Sequence, residues 1–371
     1  MLHGVSDFDA ACAQAAALRV ETLRLDAAID VARVARAWDR LEARAQWPTQ
    51  TRLFAATLSR LPAGADAQML GAWLGDDLVG LLSLSRDPGY FARWHMVGAR
   101  ETYEPGDILC NGSVGTAGVA DELVGLRRPL YLDRISAGSP LIAAMAAAMR
   151  GRGRLVVRPA MACPFITLDD SWRDPESRFN AGRRSDFRRA RRRAEGMGIL
   201  TFETLSPGAA DFDTLFDEAV RVEALGWKCA AGTAIATDPR QAAIFRTFFR
   251  AAAERGDFRL SFMRIDGQAV AMQMALLWNS RYWLFKIGHD ASFNACSPGG
   301  LLMLHALGWA AAARMQTFEF LGVAEPWIRQ LWTQEQHDCV QLRTYPYGLR
   351  GAVALAVDGG IWLRQRLRRG R

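Results

Sequence analysis

Apolar and polar positions alternate along this chain in an order that occurs twice. In the first half, apolar side chains recur three and four residues apart over 30–45, the spacing of one face of a helix. Two apolar runs on either side of Gly75-Asp76-Asp77 have the pattern of a β-hairpin. The predicted elements are a helical region over 1–60 with helices at 30–45 and 51–61, a hairpin at 68–85, loops with short strands over 87–125, a strand at 130–132, a helix from Ser139-Pro140 and a strand at 155–157.

The second half repeats this order. Its hairpin turns on Asp266-Gly267, a pair typical of a type I′ turn. The predicted elements are helices at 212–224 and 238–255, a hairpin at 259–278, a strand at 282–285, a helix at 301–313 and a strand at 317–321. The repetition predicts a duplicated α/β domain, with a first domain at 1–160, a second at 161–348 and a basic amphipathic tail at 349–371.

The stretch 281–323 is the candidate functional centre of the chain. It is read as a strand, a small-residue turn at Ser297-Pro298-Gly299-Gly300, a helix and a second strand. A helix that starts after such a turn presents backbone N–H groups and a positive dipole end, which suit a phosphate. In the first half, Ser139-Pro140 is followed by Leu141-Ile142, whose side chains would obstruct a ligand. We therefore predict phosphate binding in the second copy.

Strand alternation predicts the polar side chains near that turn. Tyr282, Lys286 and Asp290 share one face and are expected to line the cleft, and Glu319 on a neighbouring strand could reach Lys286. Two interpretations stay open. Lys286 and Glu319 could form a structural ion pair, or Glu319 or Asp290 could accept a proton from an attacking amine or hydroxyl.

Composition and charge narrow the class of protein. Half of the 371 residues are hydrophobic, enough for two cores, and the net charge of +7 with a pI near 9.4 favours an acidic partner. The six cysteines are scattered without C-x-x-C spacing, so neither a metal site nor a disulfide framework is expected. Neither a signal-peptide pattern nor a membrane-spanning apolar run is present, so we expect a cytoplasmic protein.

Two arginine-rich segments each allow two interpretations. The segment 178–193 is predicted to be mostly helical. It is either a solvated linker helix or a surface that binds phosphate or RNA. Phe187 is the one aromatic residue within its arginine cluster, which argues against stacking of RNA bases. We place Arg184 and Arg188 in the predicted cofactor site. The segment 349–371 could lie on an anionic membrane surface, at the inner face of the membrane, or form a helix docked on its domain with a solvated basic end.

Several motifs resemble one family. Cys163-Pro164-Phe165-Ile166-Thr167-Leu168, the arginine-rich helix and Glu223-Ala224-Leu225-Gly226-Trp227-Lys228 resemble the GNAT-type acyltransferases associated with bacterial cellulose and exopolysaccharide biosynthesis. So do Lys286 to Asp290, Ser297-Pro298-Gly299, Phe318 to Gly322, and Trp327 with Trp332. The family's Asp-x-x-Tyr-Lys element is replaced here by Ala324-Glu325-Pro326-Trp327-Ile328, so a lysine role at that place is not expected.

The resemblance implies tandem GNAT-like domains, each a mixed, mostly antiparallel sheet flanked by helices. It also implies acyl transfer from an acyl-coenzyme A, acetyl-coenzyme A in the simplest case, to an amine or hydroxyl on a small-molecule or saccharide acceptor. The predicted site residues are Lys286, Asp290 and Glu319 for catalysis, Ser297, Gly299, Gly300, Arg184 and Arg188 for the cofactor, and Tyr282, Glu223, Trp227 and Lys228 for the substrate.

Two other functions remain open from the sequence. The same architecture is shared with aminoacyl-tRNA-dependent, Fem-like transferases, but the long heptad-patterned insertion of those ligases is not seen here, so tRNA is not the expected partner. A non-catalytic adaptor for envelope or polysaccharide assembly could also retain the fold.

Overall fold

The computed structural model describes residues 18–60, 66–226, 235–322 and 324–369. The chain forms two compact units. Unit 1 is the chain up to Ala162 together with the chain from Asp338 onward, and unit 2 is Cys163–His337.

The strands of the described residues are β1 Leu18–Arg24, β2 Asp66–Leu74, β3 Asp77–Arg86, β4 Trp94–Met96, β5 Leu109–Cys110, β6 Tyr131–Ser136, β7 Gly153–Pro159, β8 Cys163–Thr167, β9 Leu200–Leu205, β10 Phe258–Ile265, β11 Gln268–Trp278, β12 Arg281–His289, β13 Thr317–Glu319, β14 Gln336–His337 and β15 Cys339–Pro346. The helices are α1 Leu25–Asp30, α2 Ala32–Glu42, α3 Arg52–Ser59, α4 Ala99–Thr102, α5 Ser113–Gly125, α6 Pro140–Ala148, α7 Ala181–Glu195, α8 Phe212–Ala224, α9 Pro239–Glu254, α10 Pro298–Ala312, α11 Pro326–Leu331 and α12 Leu349–Arg369. Short 3₁₀ helices occur at Pro48–Gln50, Asp170–Arg173, Pro175–Arg178, Ile235–Thr237 and Ala291–Cys296.

Unit 1 contains two sheets. The first has the order β1-β2-β3-β4 with β5 also paired to β3, and the second has the order β6-β15-β7. The predicted hairpin is β2-β3, and the predicted helix from Ser139-Pro140 is α6, whose first turn is capped because the Ser139 hydroxyl accepts from the Leu141 N–H. The prediction that the described part of the first 60 residues is helical is wrong for β1, and α5 was predicted as loop.

The end of the chain belongs to unit 1. β15 pairs antiparallel with both β6 and β7. The sequence boundary at residue 348 therefore differs from the structural one, because backbone pairing over a long sequence separation holds Cys339–Pro346 in the unit 1 sheet. The first half of α12 docks on the same unit, where Asp358 pairs with Arg93 (2.8 Å) and Arg343 (3.0 Å) and Ala354 is buried.

Unit 2 is built on one seven-stranded sheet of order β14-β8-β13-β12-β11-β10-β9. All neighbours are antiparallel except β12 and β13, which run parallel. The predicted hairpin is β10-β11, and Asp266 (φ 48°) and Gly267 (φ 79°) give its turn the two positive φ angles of type I′.

Helices cover both faces of the unit 2 sheet. One face packs against α7 and α10 through a core that includes Phe187, Leu284 and Leu302. On the other face, Phe248 and Phe249 of α9 contact the Phe285 ring at centroid distances of 5.7 and 5.6 Å. The sheets with flanking helices confirm the predicted α/β fold class.

The arginine-rich helix α7 is part of unit 2 and not a linker. It begins after Asn180, whose side chain accepts from the Arg183 N–H (2.9 Å), and it buries Phe187, Ala190 and Ala194. Its arginines occupy the remaining faces, so the helix is amphipathic and its apolar side completes the core.

The two units repeat one order of elements, but the repeat pairs different helices from those predicted. In unit 2, α10 lies between β12 and the parallel strand β13. In unit 1, the helix that precedes the parallel neighbour β6 is α5, and a parallel bridge joins Trp94 of β4 to Leu130, the residue before β6. The counterpart of α10 is therefore α5, and the prediction that Ser139-Pro140 corresponds to Ser297-Pro298 is wrong.

Within the described ranges, none of the helices combines the length and the apolar character that crossing a membrane requires.

Candidate active site in unit 2

The central feature of unit 2 is a gap between two parallel strands. β12 and β13 pair only at Arg281↔Thr317, Tyr282↔Phe318 and Trp283↔Glu319, although β12 continues to His289. Past Glu319 the chain stays paired with β8, where the Phe320 N–H donates to the Pro164 carbonyl (3.0 Å), but it is no longer paired with β12. A cavity of about 470 Å³ lies where the strands part. It is lined by Phe320, Gly322 and, from β12, Leu284, Phe285, Ile287, Gly288 and His289. This volume is typical of small-molecule sites.

The cavity reaches both faces of the sheet. Met272 and Gln273 are consecutive residues of β11, so their side chains point to opposite faces, and both line the cavity. Leu302 and Met303 of α10 form part of its wall on one face, while Glu223 of α8 forms part of it on the other. Two reactants could therefore meet in this gap from opposite sides of the sheet.

The start of α10 is the segment for which the sequence predicts phosphate binding. Gly299 and Gly300 both line the cavity. Among the described residues, a Cβ at Gly300 would have no atom within 4 Å, and a Cβ at Gly299 would approach only His289 Nδ1, at 3.5 Å. Packing therefore does not require glycine at either position. In unit 1 the start of α5 is closed, since a Cβ at Gly115 would lie 2.2 Å from the Val79 carbonyl oxygen. The prediction that the second copy has the accessible helix start agrees with this geometry, but the obstructing element in unit 1 is a strand and not Leu141-Ile142.

Glu223 is the buried carboxylate of the cavity wall. Its side chain is only 1% exposed, and its Oε2 accepts from the Ile235 N–H (2.9 Å). The last turn of α8 comes close to β12 because Gly288 has no side chain, as a Cβ there would lie 2.6 Å from Glu223 Cα. Glu223 was predicted to contact the substrate, and the structure places it in the cavity.

Two further polar groups in the cavity wall were not predicted as ligand contacts. Gln273 is 2% exposed, and among the described residues its Oε1 has no hydrogen-bond partner. The indole N–H of the buried Trp332 likewise has none there. The Trp332 ring is fixed by stacking on Phe187 at a centroid distance of 6.2 Å. One acceptor and one donor thus remain for a ligand or water. Gln273 could have been noticed as the one amide inside an otherwise apolar strand interior.

The three residues predicted to be catalytic lie elsewhere. The Lys286 ammonium lies 4.2 Å from the centroid of the Phe245 ring, on the α9 face. The Asp290 carboxylate accepts from the Ser292 N–H and hydroxyl and thereby begins a 3₁₀ turn. Glu319 is buried and accepts from Arg281 (3.2 Å), Thr317 (2.7 Å) and His337 (2.9 Å). Lys286 is not among these hydrogen-bonding partners of Glu319.

A β-bulge explains why strand alternation failed. Met274 pairs with Lys286 while Ala275 pairs with Leu284, so Phe285 is an extra residue without a register partner. Side chains on either side of Phe285 are therefore out of phase. Tyr282 lies on the α10 face, fully buried and stacked on Phe318 (4.6 Å), and burial raises the pKa of its hydroxyl to about 12. It is a core residue, not a cleft residue.

The predicted cofactor arginines are not at the start of α10. Arg184 and Arg188 are exposed on α7 and do not line the cavity. Arg193, two turns further along α7, donates to the Ala295 carbonyl (3.1 Å) in the loop that leads into α10. Ser297 adopts a left-handed conformation (φ 49°) and its carbonyl accepts from the Gly300 and Leu301 N–H groups. Trp227 and Lys228 lie outside the described residues.

Residues 181–329 match the family model of the acetyltransferase (GNAT) domain. The matched segment lies within unit 2 and contains the start of α10, Glu223 and Gln273. No curated protein sequence matches the chain. Three solved structures have a similar fold. The first is FemX, which is 10% identical to this chain with a TM-score of 0.57; the match covers 91% of this chain and 99% of the FemX chain.

The second is the C-terminal DUF2156 domain described as belonging to a lysylphosphatidylglycerol synthetase from Agrobacterium fabrum, 13% identical with a TM-score of 0.52, covering 88% of this chain and 95% of its own. The third, a conserved protein of unknown function from Bacteroides thetaiotaomicron, is 12% identical with a TM-score of 0.52, covering 83% of this chain and 96% of its own. At such identities the similarity concerns the fold alone.

Proposed function

We propose that this protein is an acyltransferase that moves an acyl group, acetyl in the simplest case, from an acyl-coenzyme A to an amine or hydroxyl acceptor. The observation that carries the proposal is the cavity at the β12-β13 gap, which has the start of α10 in its wall on one face of the sheet and Glu223 on the other. The match of residues 181–329 to the GNAT acetyltransferase domain supports it.

The residues at the start of α10 fit a phosphate-containing donor. The helix is 15 residues long and begins at Pro298, which has no N–H. The Gly300 and Leu301 N–H groups donate to the Ser297 carbonyl, so the Gly299 N–H is the group of this first turn that has no backbone partner among the described residues. Gly299 and Gly300 carry no side chain that would cover it. Arg193 lies at the loop before the helix and can add a positive charge. The apolar wall from Leu302, Met303 and Phe320 fits the uncharged arm of such a donor, and the Gln273 and Trp332 groups can bind an amide along it.

Glu223 is the group that can take the proton of the acceptor. When bound, the donor supplies an electrophilic thioester carbonyl and a thiolate leaving group. The acceptor nitrogen or oxygen forms the new bond to that carbonyl carbon while the carbon–sulfur bond breaks, and its proton passes to the Glu223 carboxylate. The Ile235 N–H holds Glu223 in place, and the buried position keeps water from competing.

Calorimetric titration with acetyl- and longer acyl-coenzyme A tests the donor. We expect binding that is lost when dephosphorylated fragments replace the full cofactor, and thiol release when an amine or hydroxyl acceptor is added. Folded protein that binds none of these donors would sink the proposal. Binding without turnover on any amine or saccharide would favour a non-catalytic adaptor instead.

The cellular setting belongs to the same proposal. The motifs at 163–168 and 223–228 resemble acyltransferases of polysaccharide biosynthesis, so we propose a saccharide or cell-envelope acceptor and a location at the inner membrane face. The rate of thiol release can be measured with amino sugars, with sugars and with small amines as acceptors. The class of acceptor that gives the highest rate identifies the preferred acceptor.

A second candidate is an aminoacyl-tRNA-dependent transferase. It is supported by the fold similarity to FemX and by the exposed arginines of α7, which include Arg184, Arg188 and Arg192. A filter-binding assay with charged tRNA decides it. Specific retention of charged tRNA over random RNA, lost when Arg184 and Arg188 are changed to Gln, would favour this candidate over the acyl-coenzyme A donor.

A further inference from the structure

The last helix of unit 1 has two different halves. The first half docks through Ala354 and Asp358, whereas every residue from 359 to 368 is exposed. Exposed side chains of this second half include Leu363 (52%) and Leu367 (64%). A helix segment that is exposed at every residue needs another reason for large apolar residues at its surface.

A stripe of apolar and small residues lies on the side of α12 opposite Ala354 and Asp358. Its members are Leu349, Val353, Ala356, Gly360, Leu363 and Leu367, which follow each other at intervals of four and three. Four other exposed apolar residues of the helix, Leu355, Val357, Ile361 and Trp362, lie outside this stripe. Ala354 and Asp358, which face unit 1, fall on the opposite side by the same geometry. Val353 of this stripe is half-buried and its other five members are exposed, so the stripe points away from the docked side of the helix.

Arginines border this stripe on both sides. At 100° per residue, Arg364 and Arg368 fall on one flank and Arg366 on the other. From residue 359 to the end of the printed sequence there are five arginines and neither Asp nor Glu. The Arg366 guanidinium also covers the exposed Trp362 ring, 5.2 Å from its centroid. The outward surface thus combines an apolar strip with positive charge and nothing acidic.

This charge pattern selects the partner. A second copy packed stripe to stripe would bring arginine flanks together without any carboxylate to pair with them, which opposes association. An anionic bilayer offers hydrocarbon for the stripe and phosphate groups for the flanks. We infer that α12 binds, in the plane of the membrane, to the surface of a bilayer containing anionic phospholipid. The inference is independent of the chemistry proposed for unit 2.

Co-sedimentation of the full chain with vesicles tests the inference. We expect binding to vesicles of phosphatidylcholine mixed with phosphatidylglycerol, weak binding to phosphatidylcholine alone, and weakening by salt. Changing Arg364 or Arg366 to Gln should each reduce the partition coefficient roughly fivefold, the effect of about 1 kcal/mol per arginine at such a surface.

A matched pair of variants separates the stripe from simple charge. Leu363→Glu and Gln365→Glu add the same charge within one turn, but only Leu363 lies on the stripe. Leu363→Glu should abolish binding, whereas Gln365→Glu should reduce it only by the fivefold charge effect. Both positions are exposed, so both variants should keep the wild-type melting temperature.

Three results would overturn the inference. These are equal binding to neutral and anionic vesicles, equal losses for Leu363→Glu and Gln365→Glu, and a dimer in sedimentation velocity that Leu363→Glu dissociates, since the last would assign the stripe to a second copy.

Discussion

Replacing Gly299 by alanine should separate the stability of unit 2 from its affinity for the donor. A Cβ at Gly299 would meet only His289 Nδ1, at 3.5 Å, which is ordinary contact, and no positive φ is required there. Alanine is more favourable than glycine inside a helix by up to about 1 kcal/mol. For a unit of this size that gain raises the melting temperature by about 2–4 °C.

The same methyl group lies in the wall of the cavity, at the helix start where the donor phosphate is expected. A hydrogen bond from a backbone N–H to a charged group contributes about 1.5–3 kcal/mol, so displacing the phosphate from one N–H should weaken binding roughly tenfold to a hundredfold. Calorimetric titration with acetyl-coenzyme A measures that loss, and differential scanning calorimetry measures the melting temperature.

Gly359→Ala is the matched control, because it lies inside α12 in the other unit and its Cβ would meet nothing within 4 Å. It should gain a similar stability and leave donor affinity unchanged. Unchanged affinity in Gly299→Ala would refute phosphate binding at the start of α10, and a lower melting temperature would refute the packing argument.

Three further predictions test the remaining groups. Glu223→Gln keeps an oxygen for the Ile235 N–H but removes the base. We therefore expect kcat to fall by about 10²–10⁴ with little change in melting temperature. A fall of kcat by only a few-fold would mean that Glu223 positions other groups and does not accept the proton. Glu319→Gln should lower the free energy of unfolding by about 1–3 kcal/mol in urea titrations, because Arg281 loses a buried partner, while kcat/KM stays within twofold; a large loss of kcat would restore its catalytic role. Burial raises the pKa of the Asp107 carboxyl in unit 1 to about 6, so its contribution to stability is fully present below about pH 4 and is lost as the pH rises through 6. Between about pH 4 and 6 the free energy of unfolding of the wild-type protein should therefore fall by up to about 3 kcal/mol more than that of Asp107→Asn, as measured by urea titration at several pH values. Identical pH profiles for the wild-type and variant proteins would contradict this prediction.

Local patterns in the sequence predicted the local structure well. Helix α8 has the bounds that its apolar spacing indicates, and Asp266-Gly267 forms the predicted I′ turn, because both depend on residues close together in the chain. The place of β15 in unit 1 could not be found this way. Its partners β6 and β7 lie far away in sequence, and apolar alternation specifies a strand without specifying its neighbour.

The site was predicted in part for the same reason. The Gly299-Gly300 helix start and Glu223 are recognisable from local motifs, and both line the cavity. The sequence analysis placed Tyr282 and Lys286 on the same face of the strand because it assumed an uninterrupted strand. A single extra residue reverses every side chain beyond it, and periodicity alone does not reveal which residue is the extra one.

The bulge at Phe285 also decides which residue of β12 faces α8. With Phe285 as the extra residue, Gly288 faces Glu223, and its missing side chain allows the helix backbone to approach. One turn later, Gly226 allows the same approach to the His289 carbonyl, since a Cβ there would lie 2.7 Å from that oxygen. Without the bulge, His289 would point at α8 and its imidazole would occupy the space that Glu223 now uses. The position of the carboxylate in the cavity therefore depends on three features together, the bulge and two glycines far apart in sequence, and none of them is a group that takes part in the reaction.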